Sequence, residues 1–190
     1  MMMPSDRERW NAKFLAGEAQ SAEPDPLLPE ACSALSPGSA LDLAGGAGRH
    51  AIWLAQRGWS VTLTDVSEEG LKLAAQRSAE AGVTIALRCE SAEETLAWAA
   101  RSLEEGGTRF DLIVVFWFRT QQPFAALPAL LEPGGRLLYK TFTSEHPRFA
   151  DGKSARFALQ PGELRCAFPT LETLLDRESG GVAELVARGR

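Results

Sequence analysis

The stretch LDLAGGAGRHAIWLAQRGWSVTLTD, Leu41 to Asp65, decides the fold. It opens on a short apolar run, crowds Gly45, Gly46 and Gly48 together with Ala44 and Ala47 into a turn, and passes into a helical span. It closes on a second apolar run that ends in an acid. A glycine-rich turn between strand and helix keeps backbone amides accessible, because no Cβ blocks the approach. Strand, turn, helix and strand in this order make a βαβ unit, whose crevice opens at the carboxyl ends of the strands. Two acids frame the turn, Asp42 at the end of the first strand and Asp65 at the end of the second.

Outward from this unit, short apolar runs alternate with amphipathic stretches, the pattern of a parallel sheet flanked by helices. The candidate strands are SALDLA (39–44), SVTLTD (60–65), VTIALR (83–88), FDLIVVF (110–116) and RLLYKTF (136–142). Between them Leu71, Ala74, Ala75 and Ala79 recur at helical period, as do Leu96, Ala99, Ala100 and Leu103, with Gly82 and Gly106 where C-terminal caps belong. These helices are expected to cover both faces of the sheet. In the tail, TLETLLD (170–176) and VAELVA (182–187) are separated only by RESGG, which is too short for a crossover helix. The last strand is therefore expected to run antiparallel. Upstream, SAEPDPLLPE (21–30) holds Pro24, Pro26 and Pro29, which forbid continuous helix, and a short arm with Trp10 and Phe14 at helical spacing precedes it.

The 190 residues suit one domain of ordinary soluble composition, 45% apolar with charges of both signs interspersed. A formal net charge of -5 gives no electrostatic footprint for nucleic acid. The N-terminus MMMPSDRERW lacks the apolar core of a signal peptide, and no segment offers the ~20 apolar residues of a membrane span, so the expected location is the cytoplasm. Cys32, Cys89 and Cys166 are odd in number and lack the paired spacing of a zinc site, which suits reduced, buried thiols and no metal.

Two ligands compete for the glycine turn. A nicotinamide dinucleotide would set its pyrophosphate against the loop amides, as in a short-chain reductase, with Asp65 on a ribose. Asp42 would repel that pyrophosphate, and the chain has no Tyr-x-x-x-Lys pair. S-adenosylmethionine carries no phosphate, and its ammonium and sulfonium are attracted by an acid at the end of the first strand.

LDLAGGAGRH followed by TLTDVS resembles the class I S-adenosylmethionine-dependent methyltransferases. Gly46 and Gly48 match the second and third glycines of the family's loop, while Ala44 stands where the first usually is. The resemblance implies a doubly wound, Rossmann-like seven-stranded α/β sheet, mostly parallel with an antiparallel C-terminal strand. It further implies an N-terminal arm and linker over residues 1–30 and a methyltransferase domain over 31–190. For the cofactor it implies contacts from Asp42, Ala44, Gly45, Gly46, Gly48 and Val66, with Asp65 on the ribose hydroxyls. RCESAEE aligns with the segment around adenine, Glu90, Ser91 and Ala92, and FDLIVVFWFR with the fourth strand, whose Val115 and Phe116 pass beneath the methionine moiety. LLEPGGRLLYKTF matches the turn and fifth strand that follow. The finer likeness is to small bacterial methyltransferases of the tellurite-resistance type.

The expected activity is methyl transfer to a small-molecule nucleophile. A non-catalytic S-adenosylmethionine-binding module is the remaining alternative. In-line displacement at an activated carbon needs alignment above all, so a base is optional. His146 is the candidate base. Trp117, Phe118, Arg119 and Arg148 are acceptor-side candidates, and Trp10 and Phe14 are expected to enclose the acceptor from the arm.

Overall fold

A computed structural model describes residues 5–18, 21–107, 109–118, 123–150 and 158–190. In chain order the elements are α1 (Asp6–Leu15), α2 (Leu27–Cys32), β1 (Ser39–Leu43), α3 (Arg49–Ala55), β2 (Ser60–Asp65), α4 (Glu68–Glu80), β3 (Ala86–Cys89), α5 (Ala92–Glu104), β4 (Phe110–Phe116), β5 (Leu131–Phe142), α6 (Glu163–Cys166), β6 (Glu172–Ser179) and β7 (Val182–Arg188), with 310 turns at Pro123–Leu130 and Pro147–Phe149. The seven strands form one sheet in the order β3-β2-β1-β4-β5-β7-β6. Strands β1, β2 and β3 pair in parallel, as do β4 and β5, while β7 runs antiparallel to both β5 and β6. The expected α/β sheet with a reversed C-terminal strand is thus the observed one.

The chain packs as two compact units, Met1–Ala97 and Trp98–Arg190. In the first, Ala40, Leu41, Leu63, Ala51, Leu54 and Ala74 are fully buried. Helix α4 starts where the Ser67 hydroxyl accepts the Gly70 N–H, and it stops at Gly82 (φ +69°), with the Val83 amide returning to Ser78. Its buried stripe is Gly70, Leu71, Ala74 and Ser78; Ala75 and Ala79 face solvent. The alanine-rich helix pattern hid this offset, since a small apolar side chain loses little by being exposed. In α5 the same holds for Ala100, which is exposed, while Leu96 and Ala99 are buried. The proline-rich stretch is more than a spacer. Pro29 sits in the first turn of α2, where its missing N–H leaves no bond unmade, and Leu27 and Leu28 are buried to 1% and 0% exposure.

In the second unit the near-continuous apolar run of β4 has Leu112, Ile113, Val114 and Val115 all at 0% exposure, as a strand covered on both faces requires. Strand β5 starts earlier than expected. Phe110 pairs with Leu131 and Leu112 with Arg136, so Pro133-Gly134-Gly135 bulges out within the strand. Gly134 has φ +82°, and a Cβ on Gly135 would meet three backbone carbonyls at 2.9–3.1 Å. The tail hairpin is tighter than the RESGG gap suggests. Ser179 pairs with Val182 across Gly180 and Gly181, both at positive φ, which is the conformation a two-residue hairpin turn demands. Arg177, Glu178 and Ser179 belong to the exposed edge strand β6, where their polar side chains need no burial.

Candidate functional site

The first unit gathers the glycine turn and both acids. Gly46 and Gly48 have φ +58° and +78°, and Ala44 also sits in the left-handed region at φ +57°. A Cβ on Gly45 would lie 2.5 Å from Asp42 Oδ2, so the loop folds directly over the Asp42 carboxylate and only glycine fits there. Asp42 is 1% exposed. Its Oδ2 accepts the Ala51 N–H at 3.1 Å, and its Oδ1 is buried with no hydrogen-bond partner. Burial pushes the carboxyl up to about 7; the Ala51 bond opposes this, the negative Asp65 adds to it, and Arg49 draws it down.

Asp65, at the end of β2, accepts the Gly46 N–H on Oδ2 at 2.9 Å and the Ser67 N–H on Oδ1 at 2.8 Å. Burial outweighs these bonds and raises its carboxyl above the ordinary aspartate value. The Val66 N–H also favours the charged form, and a carboxylate with about four lone-pair sites keeps acceptor capacity for a ligand hydroxyl. Val66 is half-buried beside it, with its carbonyl 3.8 Å from Cys89 Sγ.

The segment after β3 has local duties of its own. Arg88 donates two hydrogen bonds to the Glu90 carboxylate, at 2.7 and 3.0 Å, and the Glu90 N–H donates to the Asp65 carbonyl. Ser91 caps α5: its hydroxyl accepts the Glu94 N–H, and its own N–H donates to the Glu94 carboxylate. Ala92 is buried. The Ser91 amide and the Glu90 carboxylate therefore both have protein partners already.

The arm lies against this same turn. The Phe14 ring would stand 3.0 Å from a Cβ on Gly46 and 2.7 Å from one on Gly70. Asn11 Oδ1 accepts the Ser67 O–H at 2.7 Å and the Glu69 N–H at 3.2 Å. Trp10 stays 37% exposed, with Lys13 Nζ 4.3 Å above its ring. Nothing in the sequence pattern signals Asn11, a single polar residue within a charged helix.

The second unit brings a different set together. Val115 and Phe116 are buried at the end of β4, and Trp117 follows with φ +60°, a rare conformation for so large a residue. The Trp117 N–H donates to the Lys140 carbonyl at 2.7 Å, and its ring packs against Phe142 at 4.6 Å with a tilt of 39°. Phe118 is half-buried, and its carbonyl accepts from the Tyr139 hydroxyl. Lys140 pairs with Glu184 at 2.8 Å beneath the Trp117 ring. Burial alone would raise Glu184, but hydrogen bonds and charge from Lys140 and Arg177 hold it below its usual value. His146 lies 4.5 Å edge-on to Phe142, and Arg148 stacks over that ring at 4.4 Å. His146 Nδ1 accepts the Arg148 N–H at 3.1 Å, which commits the lone pair of the neutral ring. The His146 backbone also packs against Gly181, where a Cβ would collide at 2.2 Å. As placed here, the candidate base is a turn cap with no lone pair to spare. Arg119 lies outside the described residues.

Among the described residues no helix is long and apolar enough to cross a membrane, and no cluster of His, Cys, Asp and Glu is arranged to hold a metal ion. No curated protein matches the sequence. Among solved structures, TehB from Haemophilus influenzae superposes with a TM-score of 0.73 at 17% identity over 94% of this chain and 66% of that one. The chain thus spans just under two thirds of TehB. The N-methyltransferase NodS from Bradyrhizobium japonicum WM9, in complex with S-adenosylhomocysteine, gives 0.72 at 15% identity over 96% and 97%. Magnesium protoporphyrin IX methyltransferase from Synechocystis PCC 6803, also with bound S-adenosylhomocysteine, gives 0.65 at 16% over 100% and 90%. At such identities the likeness speaks for the fold. The methyltransferase domain family matches residues 40–135, half of the chain and the stretch that holds the glycine turn and both acids, and the chain belongs to that family.

Proposed function

We propose that this methyltransferase uses S-adenosylmethionine as its donor and transfers the methyl group to a small-molecule nucleophile. The observation that carries the donor is Asp42: a fully buried carboxylate with an unpartnered oxygen, closed over by Gly45 and beside a second acid. Such a cradle suits a cation and opposes a pyrophosphate, which sets aside the short-chain reductase. Asp42 attracts the ammonium end from beneath the turn, Asp65 takes the ribose hydroxyls, and the turn from Ala44 to Gly48 lets the backbone approach. By the family pattern, Val66 and the Glu90 to Ala92 segment face adenine, and Val115 and Phe116 the methionine moiety.

The bound donor supplies a methyl group already activated by its sulfonium. The protein's work is then alignment and exclusion of water, for which rigid buried acids and aromatic side chains suffice. With the lone pair of His146 committed to the Arg148 amide, the reading that fits best is an acceptor arriving deprotonated, a thiolate or another soft anion. Trp117, Phe118, Arg119 and Arg148 are its proposed neighbours, in the cytoplasm and without nucleic acid or membrane as partner. Calorimetry with S-adenosylhomocysteine, NADH and NADPH tests the donor; tight NADPH binding with no S-adenosylhomocysteine binding would overturn it. Acceptor-dependent release of S-adenosylhomocysteine across thiols, chalcogen oxyanions, amines, RNA and protein then tests the transfer. Binding without turnover on any acceptor would leave a non-catalytic binding module instead.

A further inference from the structure

We infer that Asn11 is a positioning residue for the cofactor's ribose, acting from the N-terminal arm through Ser67 on Asp65. The inference rests on the S-adenosylmethionine reading above. Arg7, Asn11 and Phe14 fall at i, i+4 and i+7 of α1 and so share one face. That face meets the start of α4 at three points: Arg7 pairs with Glu68 at 3.2 Å, Asn11 bonds Ser67 and Glu69, and Phe14 packs on Gly70. The Ser67 hydroxyl can cap α4 only through its lone pairs, which leaves its proton to be placed elsewhere. Asn11 Oδ1 takes that proton. Ser67 is 0% exposed, and its N–H holds Asp65 Oδ1, while Asp65 Oδ2 holds the Gly46 N–H under the Phe14 ring. Arm, helix cap, ribose acid and glycine turn thus form one continuous chain of contacts. The capping box of α1, in which Ser5 and Glu8 exchange hydrogen bonds, keeps this face helical.

This arrangement gives the arm a role at the cofactor, where its sequence had suggested a cover for the acceptor. Losing the Asn11 acceptor leaves the Ser67 hydroxyl proton and the Glu69 amide without their partner and loosens the Ser67 cap, so the Asp65 carboxylate loses its fixed aim. The consequence is specific to ligands that use Asp65.

The test compares S-adenosylhomocysteine with its 2′,3′-dideoxy analogue on the full chain, by calorimetry, for wild type, Asn11→Leu and Asn11→Asp. Asn11→Leu should weaken S-adenosylhomocysteine about tenfold, the effect of one lost hydrogen bond to an aimed charged group, and weaken the dideoxy analogue less than about twofold. Asn11→Asp keeps the acceptor oxygen at a helix N-terminus that favours negative charge, and should stay within about threefold of wild type. Arg7→Ala, which removes only an exposed ion pair, should change neither ligand measurably. Equal losses for both ligands in Asn11→Leu would mean general packing and overturn the inference, as would no loss at all. Failure of Asn11→Asp to restore binding would overturn it too. If wild type itself does not bind S-adenosylhomocysteine, the cofactor reading falls first and is recognised as such.

Discussion

The glycine turn of the first unit and the aromatic cluster of the second are both built around charged side chains, yet they differ in how completely those charges are satisfied. In the second unit Lys140 and Glu184 pair, Arg148 stacks on Phe142, and His146 accepts from a backbone amide. In the first, Asp42 keeps a buried oxygen without a partner, beside another acid. A buried carboxylate in that condition is held at a cost to stability, and a cationic ligand would relieve it. Paired charges maintain a shape even where buried hydroxyls such as those of Thr141 and Thr143 lack partners, whereas an unpaired buried carboxylate is one that a cation could satisfy.

The largest effect should come from removing the acid that serves the loop and, in the proposed reading, the ligand. Asp65→Ala takes away a charged acceptor and leaves two ribose hydroxyls, the Gly46 amide and the Ser67 amide without it. S-adenosylhomocysteine affinity should fall by about 2–4 kcal/mol in a chain that still folds. Unchanged affinity in titration calorimetry would make Asp65 a turn residue and erase the contrast between the two units.

Asp42 gives the next effect, with a sign that pH reveals. Its value of about 7 in the folded chain stands above the ordinary 3.8, because the charged form is desolvated. Between those values the folded chain binds more protons than the unfolded one, so this group's contribution to stability falls as pH rises from about 4 to 7. A bound ammonium reverses the preference and favours the ionised form. S-adenosylhomocysteine affinity should therefore decline by up to about tenfold for each unit below pH 7, and level off just above it. Asp42→Asn should remove that slope and weaken binding. It should also melt higher than wild type at pH 8, by about 1–3 kcal/mol of stability, with little difference at pH 4. A pH-independent affinity in wild type would show that the ligand does not meet Asp42.

How far the sequence shows these features follows from the same contrast. The glycines and the two acids are legible because backbone conformation and isolated charge demand particular residue types: positive φ at Gly46 and Gly48, no Cβ over Asp42. The strand runs are legible because burial on both faces demands apolar residues, as in Leu112 to Val115. Asn11 escapes notice because a lone amide on a charged helix has meaning only once α1 is docked on Ser67. The bulge in β5 and the full length of β6 escape because Pro133 to Gly135 and Arg177 to Ser179 carry turn and surface chemistry inside strands. His146 is visible as an imidazole in a loop, but the fate of its lone pair depends on the following 310 turn.

Ala44 offers a smaller test of the first unit alone. Its left-handed φ of +57° is strained for any residue with a Cβ, and glycine would adopt it freely. Part of that relief is cancelled by the extra entropy glycine has when unfolded. Ala44→Gly should raise stability by about 1 kcal/mol or less, a shift of about 2–4 °C at most for a chain of this size. A drop in melting temperature would show that the Ala44 methyl contributes packing that outweighs its strain.

The smallest effect on turnover is expected at His146, and it bears directly on the second unit. A general base contributes typically 10²–10⁴-fold to rate, so its removal is hard to miss. His146→Asn places an amide oxygen near the position of Nδ1 and so retains the acceptor for the Arg148 N–H, while it deletes any capacity to act as a base. If His146 is a turn cap, turnover with a thiolate or soft-anion acceptor should stay within about threefold of wild type. His146→Ala, which abandons the cap, should lower stability by about 0.5–2 kcal/mol with turnover similarly preserved. The decisive measurement is the rate of S-adenosylhomocysteine release at saturating acceptor for both variants, set beside their melting temperatures. A loss of a hundredfold or more in His146→Asn, without a fall in melting temperature, would restore His146 as the base. It would also mean that the Arg148 hydrogen bond opens during turnover, and that the second unit is as unsatisfied in action as the first is at rest.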